Sequence, residues 1–239
     1  MSTATPARPS REALTKLCKQ IYATGRELTL QQTLTTVYRP SYGATDRVLE
    51  WIPAGARLLD VGCGTGTLLF LASVLRNLER GWGVDPKQAS IDVARDVEID
   101  APVSFEAIER APAQMIAGAD TITLLDLLHH VPASEKPALL DHYLRNAAIG
   151  SRLIVKDVDT TPRWRAFANR VTDFLLTRST VHYMAMGDAR RYLEANGFEI
   201  IHADRWYNYV WCEYLLVGRK RAMDEAGGGD RSCDPPAGS

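Results

Sequence analysis

Between residues 58 and 66 the chain reads Leu58-Leu59-Asp60-Val61-Gly62-Cys63-Gly64-Thr65-Gly66. An apolar run ends in a carboxylate and passes straight into three alternating glycines. The run suits a strand buried on both faces. The glycines let the backbone turn at positive φ and let a ligand approach the main chain closely. Residues 67–77 then read as a buried helix. A strand, a tight glycine turn and a helix together form the repeating unit of parallel sheets, which bind ligands at the carboxyl ends of their strands.

The rest of the chain agrees with that start. Apolar runs at 58–61, 81–84, 103–108, 121–125 and 153–155 alternate with helical segments near 67–77, 87–99, 111–117 and 134–147. Such alternation predicts an α/β fold with a doubly wound sheet covered on both faces. The end of the chain breaks the pattern. A helix ends at Gly197, and runs at 198–203 and 213–217 flank an aromatic turn, Arg205-Trp206-Tyr207-Asn208-Tyr209. Two strands with no crossover helix between them must be antiparallel neighbours.

Ahead of the glycine loop, residues 1–10 read as a disordered lead-in and 11–44 as an N-terminal helical cap. Leu14, Leu17, Cys18 and Ile21 share one helical face. Thr29-Leu30-Gln31-Gln32 is a capping box opening a second helix, expected to bury Leu30, Leu34, Val37 and Tyr38. The turn at 39–43 should break that helix, and a third carries Val48, Leu49 and Ile52. The main domain is expected over 45–218, with a lid insertion at 160–187. Thr161 and Pro162 open that insertion, and Trp164, Phe167, Ala168, Val171, Phe174 and Leu175 keep helical spacing. Residues 219–239 lack any apolar period and are expected to be a disordered tail.

Composition narrows the function. With a net charge of −1 and no basic stripe, the 239-residue chain is not expected to bind nucleic acid. Cys18, Cys63, Cys212 and Cys233 show neither CxxC pairing nor zinc spacing, which suits a reducing cytoplasm. No apolar run approaches the roughly 20 residues that span a bilayer. The opening MSTATPARPS lacks the apolar core of a secretory signal, so a cytoplasmic location is expected. A small-molecule partner fits this composition, and a homodimer is compatible with it.

The second strand ends in Gly83-Val84-Asp85, and Asp85 follows Gly66 by 19 residues. A carboxylate there can accept hydrogen bonds from ribose hydroxyls. Dinucleotide enzymes carry GxGxxG and place a pyrophosphate on the helix N-terminus. Here the spacing is GxGxG and Asp60 precedes it, an arrangement that favours a cation over an anion.

LLDVGCGTG and Gly-Val-Asp85 together strongly resemble the first two motifs of the class I S-adenosylmethionine-dependent methyltransferases. The resemblance covers about residues 45–218. It implies a Rossmann-like sheet of order 3-2-1-4-5-7-6 with strand 7 antiparallel, and S-adenosylmethionine as cofactor. It also implies that Asp60 orients the methionyl amine and that Asp85 holds the ribose with Pro86 beside it. Gly62, Cys63, Gly64 and Gly66 would line the donor, with Cys63 packing rather than reacting. Of the two acids near the third strand, Glu109 fits the adenine side better than Glu106.

The fourth strand runs into Asp126-Leu127-Leu128-His129-His130-Val131-Pro132, which in the family faces the methyl group. Asp-x-Leu-His-His-x-Pro is similar to bacterial biosynthetic-cluster methyltransferases acting on small molecules. Asp126 is placed on the cofactor side. Histidine titrates near neutral pH and can deprotonate a hydroxyl; His130 is favoured over His129. Asp157 shapes the pocket or holds the acceptor, while Asp159 caps the following segment. Asp126, Asp157 and Asp159 are placed much as in the metal-dependent catechol-type enzymes, but the rest of that pattern is missing and no metal is expected. Tyr22, Tyr42 and His182 are candidate acceptor contacts. The expected function is methyl transfer to a small organic molecule in specialised metabolism, with oxygen favoured over carbon or nitrogen. The alternatives are a non-catalytic S-adenosylmethionine-binding protein and an NAD-type oxidoreductase.

Overall fold

The computed structural model describes residues 8–160, 182–208 and 211–222. Its sheet contains β1 (Arg57–Val61), β2 (Arg80–Asp85), β3 (Val103–Ala107), β4 (Thr121–Leu125), β5 (Arg152–Val158), β6 (Phe198–Asn208) and β7 (Trp211–Lys220). The strand order is β3-β2-β1-β4-β5-β7-β6. β1 pairs in parallel with β2 and β4, β2 with β3, and β4 with β5, whereas β7 runs antiparallel to both β5 and β6. This is the expected topology. The strand order reverses between β1 and β4, so their carboxyl ends open the crevice where such sheets bind ligands.

Helices cover both faces. One core gathers α1 (Arg11–Tyr22), α4 (Thr45–Leu49), α5 (Thr67–Arg76) and α6 (Gln88–Arg95). The other gathers α7 (Ala113–Gly118), α8 (Lys136–Asn146) and α9 (Met186–Ala195). The first face of α1 is as expected: Leu14, Cys18 and Ile21 are buried and Leu17 partly so. The cap therefore shares the core of the main domain.

Three local readings need correction. The terminal hairpin is longer than expected. Arg205, Trp206 and Tyr207 lie within β6, paired with Tyr214, Glu213 and Cys212, rather than in a turn. Arg219 and Lys220 pair with Arg152 and Phe198, so they are strand residues rather than the start of a tail. Neighbouring strands supplied backbone partners to residues whose own apolar pattern had ended.

The third correction concerns the second helix. Its capping box forms, with Gln32 N donating to Thr29 Oγ1 (3.3 Å) and Thr29 N to Gln32 Oε1 (2.9 Å). Yet α2 (Leu30–Thr33) continues through a π-helical turn (Leu34–Tyr38) into α3 (Arg39–Tyr42), so Pro40 lies inside a helical turn and does not end it. Proline lacks an N–H and its ring crowds the carbonyl four residues back; the wide turn before it relieves that conflict. Thr36 and Val37 are buried, whereas Leu30, Leu34, Tyr38 and Tyr42 are exposed, Leu30 at 78%.

Residues 161–181, which include most of the expected lid, lie outside the described residues, as do 1–7 and 223–239. Among the described residues no helix is long and apolar enough to cross a membrane.

Candidate active site

The glycine loop is held by the second strand. Gly62 N and Cys63 N both donate to the Val84 carbonyl (2.8 and 3.1 Å). Gly62, Gly64 and Gly66 have φ of +75°, +54° and +83°, where side chains are strained. A Cβ on Gly66 would stand 2.6 Å from the Phe105 ring, so packing alone demands glycine there. A Cβ on Gly64 would meet nothing within 4 Å. That open space beside a half-buried backbone is what a closely approaching ligand requires. Cys63 is buried and burial pushes its thiol pKa up, consistent with packing.

Asp85 ties the loop to α6. Its carboxylate accepts from Gly64 N (3.0 Å) and Lys87 N (2.8 Å), with the exposed Pro86 between strand and helix. Asp60 is buried at 4% exposure and accepts a hydrogen bond from the Thr123 hydroxyl (2.6 Å). Burial raises its pKa to about 7, and nearby Asp85 adds to the rise despite the Thr123 bond. No basic side chain among the described residues offsets this. A buried carboxylate lacking a counter-cation beside an open glycine turn fits a cationic nucleoside, so these residues suit S-adenosylmethionine. β3 ends at Ala107, level with Asp85. Glu109 lies two residues beyond that end, whereas Glu106 lies within the strand.

Tyr22 is buried, and its hydroxyl donates to the Thr65 carbonyl (2.8 Å) and meets Thr67 Oγ1 (2.9 Å). It therefore fastens the cap to the glycine loop. Tyr22→Phe should destabilise the fold by about 1–3 kcal/mol, because it leaves buried loop groups without their partner. A urea-unfolding midpoint equal to wild type would contradict that role.

Asp126 lies past β4 at φ +51°. It accepts from Lys156 Nζ (2.8 Å) and Arg39 Nη2 (3.0 Å). Burial opposes its ionisation, but Lys156 and Arg39 override that and hold its pKa below the usual range. Lys156, itself buried, also bonds Glu213, which accepts from Trp206 Nε1 (3.0 Å). The sequence reading missed this network. A lysine directly after the apolar run 153–155 was the available signal, since a buried ammonium requires acids nearby.

The 3₁₀ turn Leu128–His130 follows. His129 is buried, and its Nδ1 lies 2.6 Å from Asp157 Oδ1. Asp157 also accepts from the backbone N–H groups of His129 (3.2 Å) and Val158 (2.7 Å). Burial disfavours charge on His129, but the Asp157 carboxylate outweighs it and raises the imidazole pKa. His130 is exposed and packs its ring 4.1 Å from that of His129. The buried carboxylate thus belongs to His129, not to the histidine the sequence favoured. Tyr183 stands 6.3 Å from the His129 ring, and His182 N donates to the His129 carbonyl (2.8 Å). Asp159 accepts from Thr160 N (2.7 Å) and Met186 N (3.3 Å), while the segment it is expected to cap begins outside the described residues.

The chain matches, over residues 37–203, a family described as a methyltransferase domain. It is 31% identical over 139 residues to a protein of Xanthomonas oryzae pv. oryzae named ubiquinone biosynthesis O-methyltransferase. That match covers 54% of this chain and 56% of the relative. The chain thus spans just over half the length of the curated relatives it matches. Among solved structures, the magnesium protoporphyrin IX methyltransferase of Synechocystis PCC 6803 with bound SAH superposes with a TM-score of 0.58 at 22% identity. That superposition covers 84% of this chain and 91% of the other. The [4+2]-cyclase SpnF gives a TM-score of 0.60 at 16% identity, over 92% and 100% of the two chains. The strand order, the glycine loop with its two acids and the match over most of the sequence exclude the NAD-type reading. The chain belongs to the class I S-adenosylmethionine-dependent methyltransferase family.

Proposed function

We propose that this protein transfers a methyl group from S-adenosylmethionine to a hydroxyl of a small apolar acceptor, with His129 as general base. The observation that carries this reading is the His129–Asp157 pair at the sheet edge that also holds Asp60 and the glycine loop. Bound S-adenosylmethionine supplies an electrophilic methyl on a sulfonium. Asp60 would face its amine, Asp85 its ribose, and Gly62, Gly64 and Gly66 its length. Glu109 would sit toward the adenine. Asp126, already committed to Lys156 and Arg39, would shape the crevice between donor and acceptor.

On the acceptor side, Nδ1 of His129 donates to Asp157, which leaves the Nε2 lone pair of the neutral ring for a hydroxyl proton. His129 would take the hydroxyl proton on Nε2 as the acceptor oxygen becomes the nucleophile, and the bound donor would supply the methyl and keep the carbon–sulfur electron pair on sulfur. Asp157 stabilises the imidazolium so formed. Much of the acceleration in such an in-line displacement comes from alignment. The relative's name, an O-methyltransferase, agrees with a base of this kind. The exposed stripe Leu30, Leu34, Tyr38 and Tyr42, running to Arg39 at Asp126, supports an acceptor with an apolar body. Tyr42, His182 and the exposed His130 are its candidate contacts, and a role in specialised metabolism follows the same reading. A second reading, without methyl transfer, takes its support from the fold shared with a protein named a [4+2]-cyclase.

The donor site has its own test. The cofactor's amine favours the ionised form of Asp60, so binding must remove a proton from Asp60 below its free pKa of about 7. Affinity for S-adenosylmethionine should fall by up to about tenfold for each pH unit below 7. Titration calorimetry in buffers of different ionisation enthalpy should detect close to one proton released at about pH 6. Asp60→Asn should abolish the release. A pH-independent affinity in the wild-type protein would remove Asp60 from the donor site.

A further inference from the structure

Lys136 is the first residue of α8 and is buried at 6% exposure. Both facts are unfavourable. A cation at a helix N-terminus opposes the helix dipole, and a buried ammonium loses its hydration. No carboxylate among the described residues lies within ion-pair distance of it. Instead its Nζ donates to three backbone carbonyls: Leu128, Val131 (2.8 Å) and His182. An ammonium has three N–H donors, and all three are used.

The three carbonyls come from two places. Leu128 and Val131 bracket His129 and His130. His182 belongs to a segment more than 50 residues later, and its own N–H donates to the His129 carbonyl (2.8 Å). The peptide groups around His182 are therefore held from both sides, by His129 and by Lys136. Breaking two local rules to build such a clamp is expected where a functional site requires it.

We infer that Lys136 is a positioning residue, which fixes the His129 turn and the His182 segment in the one arrangement that keeps His129 on Asp157. It touches neither donor nor acceptor. Its importance for the rate rests on His129 acting as the base proposed above. The clamp itself does not depend on that role.

The test separates the two. In protein with labelled histidine, the Nδ1–H proton of His129, protected from water by its bond to Asp157, should give a slowly exchanging downfield NMR signal. Lys136→Met removes all three donors. The signal should be lost to exchange with water, while S-adenosylmethionine affinity stays within about twofold of wild type. The initial rate of label transfer into cell extract should fall by about 10- to 100-fold, the scale of a displacement near 1 Å at a reacting group. Lys136→Arg keeps the charge, but its planar fork cannot reproduce the three-carbonyl geometry, so it should weaken the signal partially. A folded Lys136→Met protein that retains the signal would overturn the inference. If that variant does not fold, a wild-type signal in Lys136→Arg would overturn it equally. Loss of the signal without loss of rate would uphold the clamp and refute His129 as the base.

Discussion

His129→Ala should slow methyl transfer by about 10²- to 10⁴-fold, the range for removing a general base, while leaving donor affinity nearly unchanged. The separation follows from the geometry. His129 lies after β4 and pairs with Asp157 of β5, whereas Asp60 and Asp85, proposed to hold the donor, lie on β1 and β2. Asp157→Asn should show the same loss to a smaller degree, with an additional pH signature. Asp157 raises the His129 pKa, so the wild-type rate should fall with decreasing pH through a value above the ordinary 6.5. With the carboxylate removed, the acidic limb should move to lower pH as the base weakens. The same raised pKa adds stability that is fully present below about pH 6.5 and is lost as pH rises through the higher folded value. Initial rates of label transfer across pH check the first claim. A wild-type rate in folded His129→Ala would refute the base.

Asp85→Ala should have the second large effect, on the donor. It removes the acceptor expected for the ribose hydroxyls, and also the bonds that hold Gly64 N (3.0 Å) and Lys87 N (2.8 Å). Hydrogen bonds to a charged group contribute about 1.5–3 kcal/mol each, so S-adenosylmethionine affinity should fall at least tenfold. Calorimetric titration reads this directly. Because the loop loses its tie to α6 as well, the true loss should exceed that of a ribose contact alone. Unchanged binding would mean that Asp85 is only a loop brace.

The parts of this account that were legible in the sequence are those carried by local spacing. Asp60, the GxGxG loop and Asp85 lie within one strand–helix–strand unit, and the turn chemistry of glycine confines them to one arrangement. The absence of a crossover helix before residues 213–217 likewise permitted only an antiparallel β7. What stayed hidden depends on contacts distant in sequence. His129 and Asp157 meet because β4 and β5 are neighbours in register, Leu125 opposite Lys156. Of the neighbouring histidines the sequence favoured His130, whereas the structure sets His129 on that carboxylate and leaves His130 exposed. Lys136 carries no signal in the sequence, since its partners are backbone carbonyls. Leu30, Leu34 and Tyr38 fit a buried face at ideal helical spacing. In the structure a π turn at Leu34–Tyr38 interrupts that spacing and all three are exposed, whereas Val37 of the same expected face is buried.

The most direct test of the proposed reaction is transfer of an isotopically labelled methyl group from S-adenosylmethionine into extract of a host lacking this protein. Products would be identified by mass spectrometry and the methylated atom by NMR. Wild-type protein should yield a labelled methyl ether, and His129→Ala should yield almost none while still binding the donor. No labelled product from a wild-type protein that binds S-adenosylmethionine would contradict methyl transfer, and a label on carbon or nitrogen would contradict transfer to a hydroxyl.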